Sequence, residues 1–284
     1  TAARAINVET EGNVTIKNLT INAGERAINI INFPANVTVN NVTATAKNNA
    51  VMMATSATGA NLTVNNSDFT GLAVVNVASA NSQVEINNTN ITNVDANEGE
   101  NYGAISIFKT ATNATVVVNG GKVVVVGDSK AASIGAAGAT VTFNGTEGNT
   151  EVQTVVAYIG DAGYTSIEEA IKDAEAGETI TLIGDVEASE VILLGKSLTI
   201  NGNGHKVTSN ATRVFRVTTA NTEVTLNDVN MVNTAVRVGQ NAIRGISVAD
   251  VQNVKLTLNN CSVDFTDASA NDWTYAVNVV GGSG

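Results

Sequence analysis

Two stretches hold the residue types most able to do chemistry. "DANEGENYGAISI" begins at Asp95 and "DASANDWTYAVNV" at Asp267. Each runs through acids and amides, then an aromatic, then an alternating apolar segment. The carboxylates of Asp95, Glu98, Glu100, Asp267 and Asp272 are the hard oxygen donors that Ca²⁺ takes. Tyr102, Trp273 and Tyr275 beside them offer rings for a sugar face, with amides and acids to bond its hydroxyls. Trp273 is the only tryptophan. A plainer reading makes both stretches solvated loops whose tyrosines pack on a strand edge. Ca²⁺ binding, glycan binding and plain loop all stand at this level.

The remaining reactive residues are isolated. His205 is the only histidine and follows "NGNG". No second histidine or nucleophile completes a triad, so it reads as a turn residue rather than a general base. The "GNG" is not a phosphate loop, because no strand, glycine-rich turn and helix follow in order. Cys261 is the only cysteine. An intrachain disulfide and a cysteine-built metal centre are therefore excluded. It reads as a small buried hydrophobe. Arg4, Arg26, Arg213 and Arg244 recur near strand starts. They either solvate those starts beside carboxylates or form a basic stripe for acidic glycans. Apart from Ca²⁺, no cofactor is expected.

These residues sit on a repeated frame. One word is Val14-Thr15-Ile16-Lys17-Asn18, and it returns from Val37, Leu62, Val84, Val116 and Val141. After a gap it reappears from Leu198, Val224 and Leu256. Most copies are about 22 to 26 residues apart, a solenoid period. The alternation apolar, polar, apolar is that of a strand with one buried face. A second alternating word lies between copies: "RAINV", "RAINI", "GAISI", "RGISV", "YAVNV". A third segment such as "VTATA" follows. Each repeat reads as about three short strands with corners between them. Asparagine and glycine mark the corners, where a left-handed residue is needed. Asn40, Asn65, Asn87, Asn119, Asn144, Asn201, Asn227 and Asn259 recur at one place in the word and predict a stacked amide ladder. The two longer spacings, Asn87 to Asn119 and Asn227 to Asn259, predict insertions.

The outward column of the first word contains Thr15, Thr38, Thr63, Glu85, Val117 and Thr142, then Thr199, Thr225 and Thr257. One carboxylate among threonines makes no acid–base pair. Composition narrows the function classes further. The chain has 284 residues, 43% hydrophobic but 4% aromatic, so its core is aliphatic. The net charge of −11 argues against nucleic acid, which needs clustered Lys and Arg. No apolar run reaches the length of a membrane span. Thr1 falls inside a repeat, which predicts that the gene product starts earlier. The many Asn-x-Thr sequons follow from the repeat word and do not predict glycosylation.

Residues Tyr158 to Val207 read "YIGDAGYTSIEEAIKDAEAGETITLIGDVEASEVILLGKSLTINGNGHKV". Ser166 and Glu169 form a capping box, and Ile167, Ala170, Ile171 and Ala174 share one helical face. Gly177 suits the residue past the helix end. This helix followed by strands resembles the N-terminal cap of bacterial cell-surface right-handed parallel β-helix proteins of the pectin-lyase-like kind. The resemblance covers about 50 residues. It implies an all-β chain, a right-handed parallel β-helix with a short amphipathic helical cap in mid-chain. Residues 1–156 would be later coils of one stack, and 157–284 the cap and first coils of a second. That is a tandem array, or one domain sampled out of phase. The resemblance also implies an extracellular, cell-surface or secreted setting. Many such proteins cleave acidic polysaccharides with clustered aspartates, and no column here stacks Asp on Asp. The expected function is a non-enzymatic stalk, fibre or surface-layer segment that assembles head to tail. Its partners would be its own copies, neighbouring domains, or host or cell-wall glycans. A glycan-binding adhesin module is the alternative, and a polysaccharide lyase or hydrolase ranks below both.

Overall fold

The computed structural model describes residues 3–94, 103–127, 129–160, 162–236, 242–265 and 273–281. Strands dominate it, and nearly all their pairings are parallel. The chain divides into two compact units, Thr1–Thr154 and Val155–Gly284.

In the first unit, one seven-stranded sheet takes the second word of every repeat. It runs Arg4–Val8, Arg26–Ile30, Asn49–Met53, Val75–Val77, Ile105–Ile107, Ala132–Ile134, Val152–Thr154. The first word supplies the other sheet. Gly12–Ala23 pairs with Ala35–Ala46 along nearly its whole length. Beyond that pair the layer forks: the front half of Ala35–Ala46 pairs with Asn61–Asn65 and the back half with Asp68–Gly71. Later repeats keep the two halves as separate strands. The second unit builds three sheets from the same segments. Leu198–Asn201, Glu223–Asn227 and Lys255–Asn259 follow Thr179–Leu182 in one. Val186–Ala188, Lys206–Ser209, Asn230–Asn233 and Ser262–Asp264 form another. Ile192–Leu194, Arg213–Val217, Ile243–Ala249 and Thr274–Val280 form the third.

The register repeats the sequence alignment. Thr15, Thr38, Thr63, Glu85, Val117 and Thr142 lie opposite one another in turn. Their apolar neighbours point the other way and are buried: Val37, Leu62, Val84 and Val116 in one column, Val39, Val64, Ile86 and Val118 in the next. Like side chains stack on like, so each unit gathers one aliphatic core. Branched side chains suit this pleated, half-buried surface.

Antiparallel pairing enters at the start of the second unit, where a wholly parallel stack was expected. Ala157–Ile159 pairs antiparallel with Ala162–Tyr164 and with Thr179–Leu182. Gly160, at φ +56°, allows the tight reversal. The helix Ile167–Asp173 follows. Ser166 Oγ accepts from Glu169 N at 3.1 Å, and Glu168 and Glu169 complement the helix N-terminus. Ile167, Ala170, Ile171 and Ala174 are buried in the second core. The C-terminus ends differently from the sequence expectation. Ala174 is the C-cap, in an extended conformation, and Gly177 (φ +91°) turns the chain later, just before Thr179–Leu182. The Lys196 ammonium donates to the carbonyls of Lys172 and Ala174 at 3.0 and 2.7 Å. A cation therefore closes the helix where a left-handed glycine does not.

Two corner glycines separate backbone freedom from close approach. A Cβ on Gly121 (φ +74°) would meet Thr89 O at 2.1 Å. One on Gly145 (φ +59°) would meet nothing within 4 Å. Gly145→Ala should cost about 1 kcal/mol, the left-handed penalty alone. Gly121→Ala should cost roughly 3 kcal/mol or more, since backbone must also move. Urea unfolding of both variants checks this, and equal losses would show that the repeats are not packed this closely.

Candidate functional site

The most regular polar feature is a set of asparagine columns. In each corner pair the two residues contribute differently. The first makes the ladder: Asn65 Nδ2 donates to Asn40 Oδ1 at 2.8 Å, Asn87 to Asn65 at 3.0 Å, and Asn119 to Asn87 and Asn144 to Asn119 at 2.9 Å. In the second unit Asn227 donates to Asn201, and Asn259 to Asn227, both at 2.8 Å. The second residue takes the left-handed backbone: Asn18, Asn41, Asn66, Asn88, Gly120, Gly145, Asp228 and Asn260 all have φ between 46° and 70°. The second residue also bonds along the stack in places: Asn41 donates to Asn18 Oδ1 at 3.0 Å, and Asn260 to Asp228 Oδ1. Each interior ladder amide donates to one neighbour and accepts from the other, so its amide dipoles run one way along the column.

Further amides escaped the sequence reading. Asn36 bonds Asn13, Asn61 bonds Asn36, and Asn29 bonds Asn7. Their signal was present, since "RAINV" and "RAINI" align Asn7 with Asn29. Asn49, Asn93 and Asn233 act differently. They are buried and donate to the backbone carbonyls of Ala73, Leu72, and both Ala211 and Arg244. Only the bends of the chain bring those carbonyls within reach.

Several arginines face one another across adjacent strands. Arg4 and Arg26 face each other across adjacent strands, with Glu25 at 3.8 and 3.6 Å from them. Arg213 and Arg244 face each other in the same way. Beside them stands Arg216, which the sequence reading missed, and whose nearest carboxylate is Asp250 at 3.9 Å. Burial, then the charges of Arg244 and Arg216, pull the Arg213 pKa down. His205 lies 3.3 Å from Asp185, another residue the sequence reading missed. A hydrogen bond from the Lys206 backbone N–H, at 2.9 Å, is the main force holding the Asp185 carboxyl below its usual range. His205 and Asp185 form a polar corner on an outer turn. Cys261 is half-buried rather than buried, because it belongs to an outer row of its sheets. Its sulfur lies 3.4 Å from Leu226 O and from Asn259 O. Beside it is a polar depression lined by Asn203, Gly204, Asp228, Asn230, Asn260 and Ser262.

Trp273 and Tyr275 are 53% and 45% exposed, two residues apart at the start of Thr274–Val280. Asp95, Glu98, Glu100, Tyr102, Asp267 and Asp272 lie outside the described residues. No family model, curated protein or solved structure matches the chain.

Asn87 tests the ladder. Asn87→Ala removes two amide bonds and should cost about 1–3 kcal/mol. Asn87→Asp keeps an acceptor for Asn119 but turns a carboxylate on Asn65 Oδ1. Facing an acceptor raises that carboxyl's folded pKa, so the neutral acid is the favoured form. The variant's deficit should then shrink as pH falls through the carboxylate range and grow as pH rises through it. Unfolding midpoints against pH check the sign, and a pH-independent deficit would mean that the ladder bond does not form.

Proposed function

We propose that each unit is a right-handed parallel β-helix, and that the chain is a structural or adhesive segment without catalytic activity. Its place is a stalk, fibre or surface layer of an extracellular bacterial protein, in contact with neighbouring copies or domains. The observation behind this reading is the direction of the outward polar groups. Among the described residues, threonines and asparagines bond or stack along the columns, from repeat to repeat, and do not converge on a point where a substrate atom would react. Crossover connections between parallel strands are right-handed in nearly all proteins. Each added repeat lengthens such a stack by about 4.8 Å at no cost in new fold. The aliphatic core and the Thr- and Asn-rich exterior agree with a disulfide-free extracellular solenoid. Among the described residues no helix is long and apolar enough to cross a membrane.

Electron microscopy of the purified chain over a dilution series, with and without Ca²⁺, tests the reading. Elongated particles of constant narrow width are expected, joining lengthwise as concentration rises if the units assemble head to tail. Compact particles without a long axis would contradict it.

The exposure of Trp273 and Tyr275 favours a second reading, a glycan-binding module. On that reading Trp273→Ala should abolish binding on an immobilised glycan panel while circular dichroism stays unchanged. Unchanged binding would remove those rings from the site.

A further inference from the structure

The outward face of the sheet Ile192–Leu194, Arg213–Val217, Ile243–Ala249 and Thr274–Val280 collects an unusual set of groups for a chain of net charge −11. Arg213, Arg244 and Tyr275 are consecutive partners on three adjacent strands. Arg216, Ser247 and Asn278 are consecutive partners one step along. Partners across the sheet sit about 4.8 Å apart, and the Arg244–Asn278 and Arg213–Ser247 contacts bring those arginines to the face of the Arg216 column, where Ser247 itself is buried. The Arg244 guanidinium is also fixed in place. Arg244 donates from Nε to Asn278 Oδ1 at 3.0 Å and from Nη1 to Ala242 O at 2.7 Å. The Arg213 Nη1 reaches Ser247 Oγ at 3.5 Å. Neither Nε–H of Arg213 nor that of Arg216 has a hydrogen-bond partner among the described residues.

Comparison with the first unit shows what is missing. There the facing pair Arg4 and Arg26 shares a carboxylate, Glu25. Here three arginines have Asp250 alone among the described residues, at the far edge beside Arg216. Burial first, and then the charges of Arg244 and Arg216, lower the Arg213 pKa. Held arginines without a shared acid are the usual way to take an anionic oxygen group from outside, because the planar fork matches carboxylate and sulfate. Tyr275, exposed and next in the column, supplies a flat apolar surface of sugar size.

We propose that this face binds an acidic glycan, with Arg213, Arg216 and Arg244 holding its carboxylate or sulfate and Tyr275 stacking on an adjoining ring. The proposal rests on the glycan-binding reading and adds the ligand's charge and the residues that recognise it.

The test uses the full chain and titration calorimetry with three probes: a sulfated oligosaccharide, a uronic-acid oligosaccharide and a neutral oligosaccharide of the same length. One or both acidic probes should bind, with affinity that falls as salt is raised. Which of them binds identifies the anionic group. Arg213→Gln with Arg216→Gln should weaken binding by about tenfold or more. The same double variant should leave the fold no less stable, because it relieves repulsion. Arg26→Gln, in the first unit, should leave binding unchanged. Binding of the neutral probe alone, lost in Trp273→Ala but kept in the arginine variant, would overturn this proposal and leave the glycan reading intact. No binding of any probe would overturn both. Inorganic phosphate binding as tightly as the acidic probes would also overturn it, since the site would then be a simple anion hole.

Discussion

A parallel strand cannot pair with its neighbour through a tight turn; it must wait until the chain has travelled away and come back. In this chain the return takes one repeat, and every other feature answers to that constraint. A strand that returns in register lays valine on valine and threonine on threonine. One face then closes into an aliphatic core, and the other presents columns of mostly polar groups. A slip of one residue would exchange the two faces, so the buried columns fix the register strongly.

The corners carry the second burden. Bending a strand costs backbone strain unless one residue accepts the left-handed region, and a bend exposes polar groups that must find partners. The pair at the end of the first word shares these tasks unequally. Asn40 and its column bond along the stack, while Asn41 and its column take positive φ. Glycine replaces asparagine at Gly120 and Gly145, positions that require the backbone conformation. It does not replace the ladder asparagines, where a side chain is needed.

Much of this was legible in the sequence, for a physical reason. Period-two alternation and fixed corner residues are local properties, and the repeat copies them, so aligning the copies reproduces the pairing partners from Thr15 to Thr142. The helix face at Ile167, Ala170, Ile171 and Ala174 was legible for the same reason. What failed to show depends on bends between strands. The Lys196 closure of the helix, the antiparallel strand at Ala162–Tyr164 and the carbonyl partners of Asn49, Asn93 and Asn233 join residues with no common pattern. The arginine face was only half legible. Arg213 and Arg244 stand at the same place in their words, but Arg216 joins them only through the geometry of its strand. Asp95, Glu98, Glu100, Asp267 and Asp272 lie outside the described residues and bear on none of this.

The register is the central claim, and disulfide trapping reads it directly. In a Cys261→Ser background, Thr63→Cys with Glu85→Cys places two thiols on facing positions of adjacent parallel strands. Their Cα atoms lie about 4.8 Å apart, within disulfide reach. Thr63→Cys with Asn87→Cys moves one thiol two residues along, to a separation of about 8 Å, beyond that reach. Mild oxidation followed by mass spectrometry should give an intrachain disulfide in the first variant and free thiols in the second. A disulfide only in the second, or in neither, would contradict the in-register stack on which the account rests.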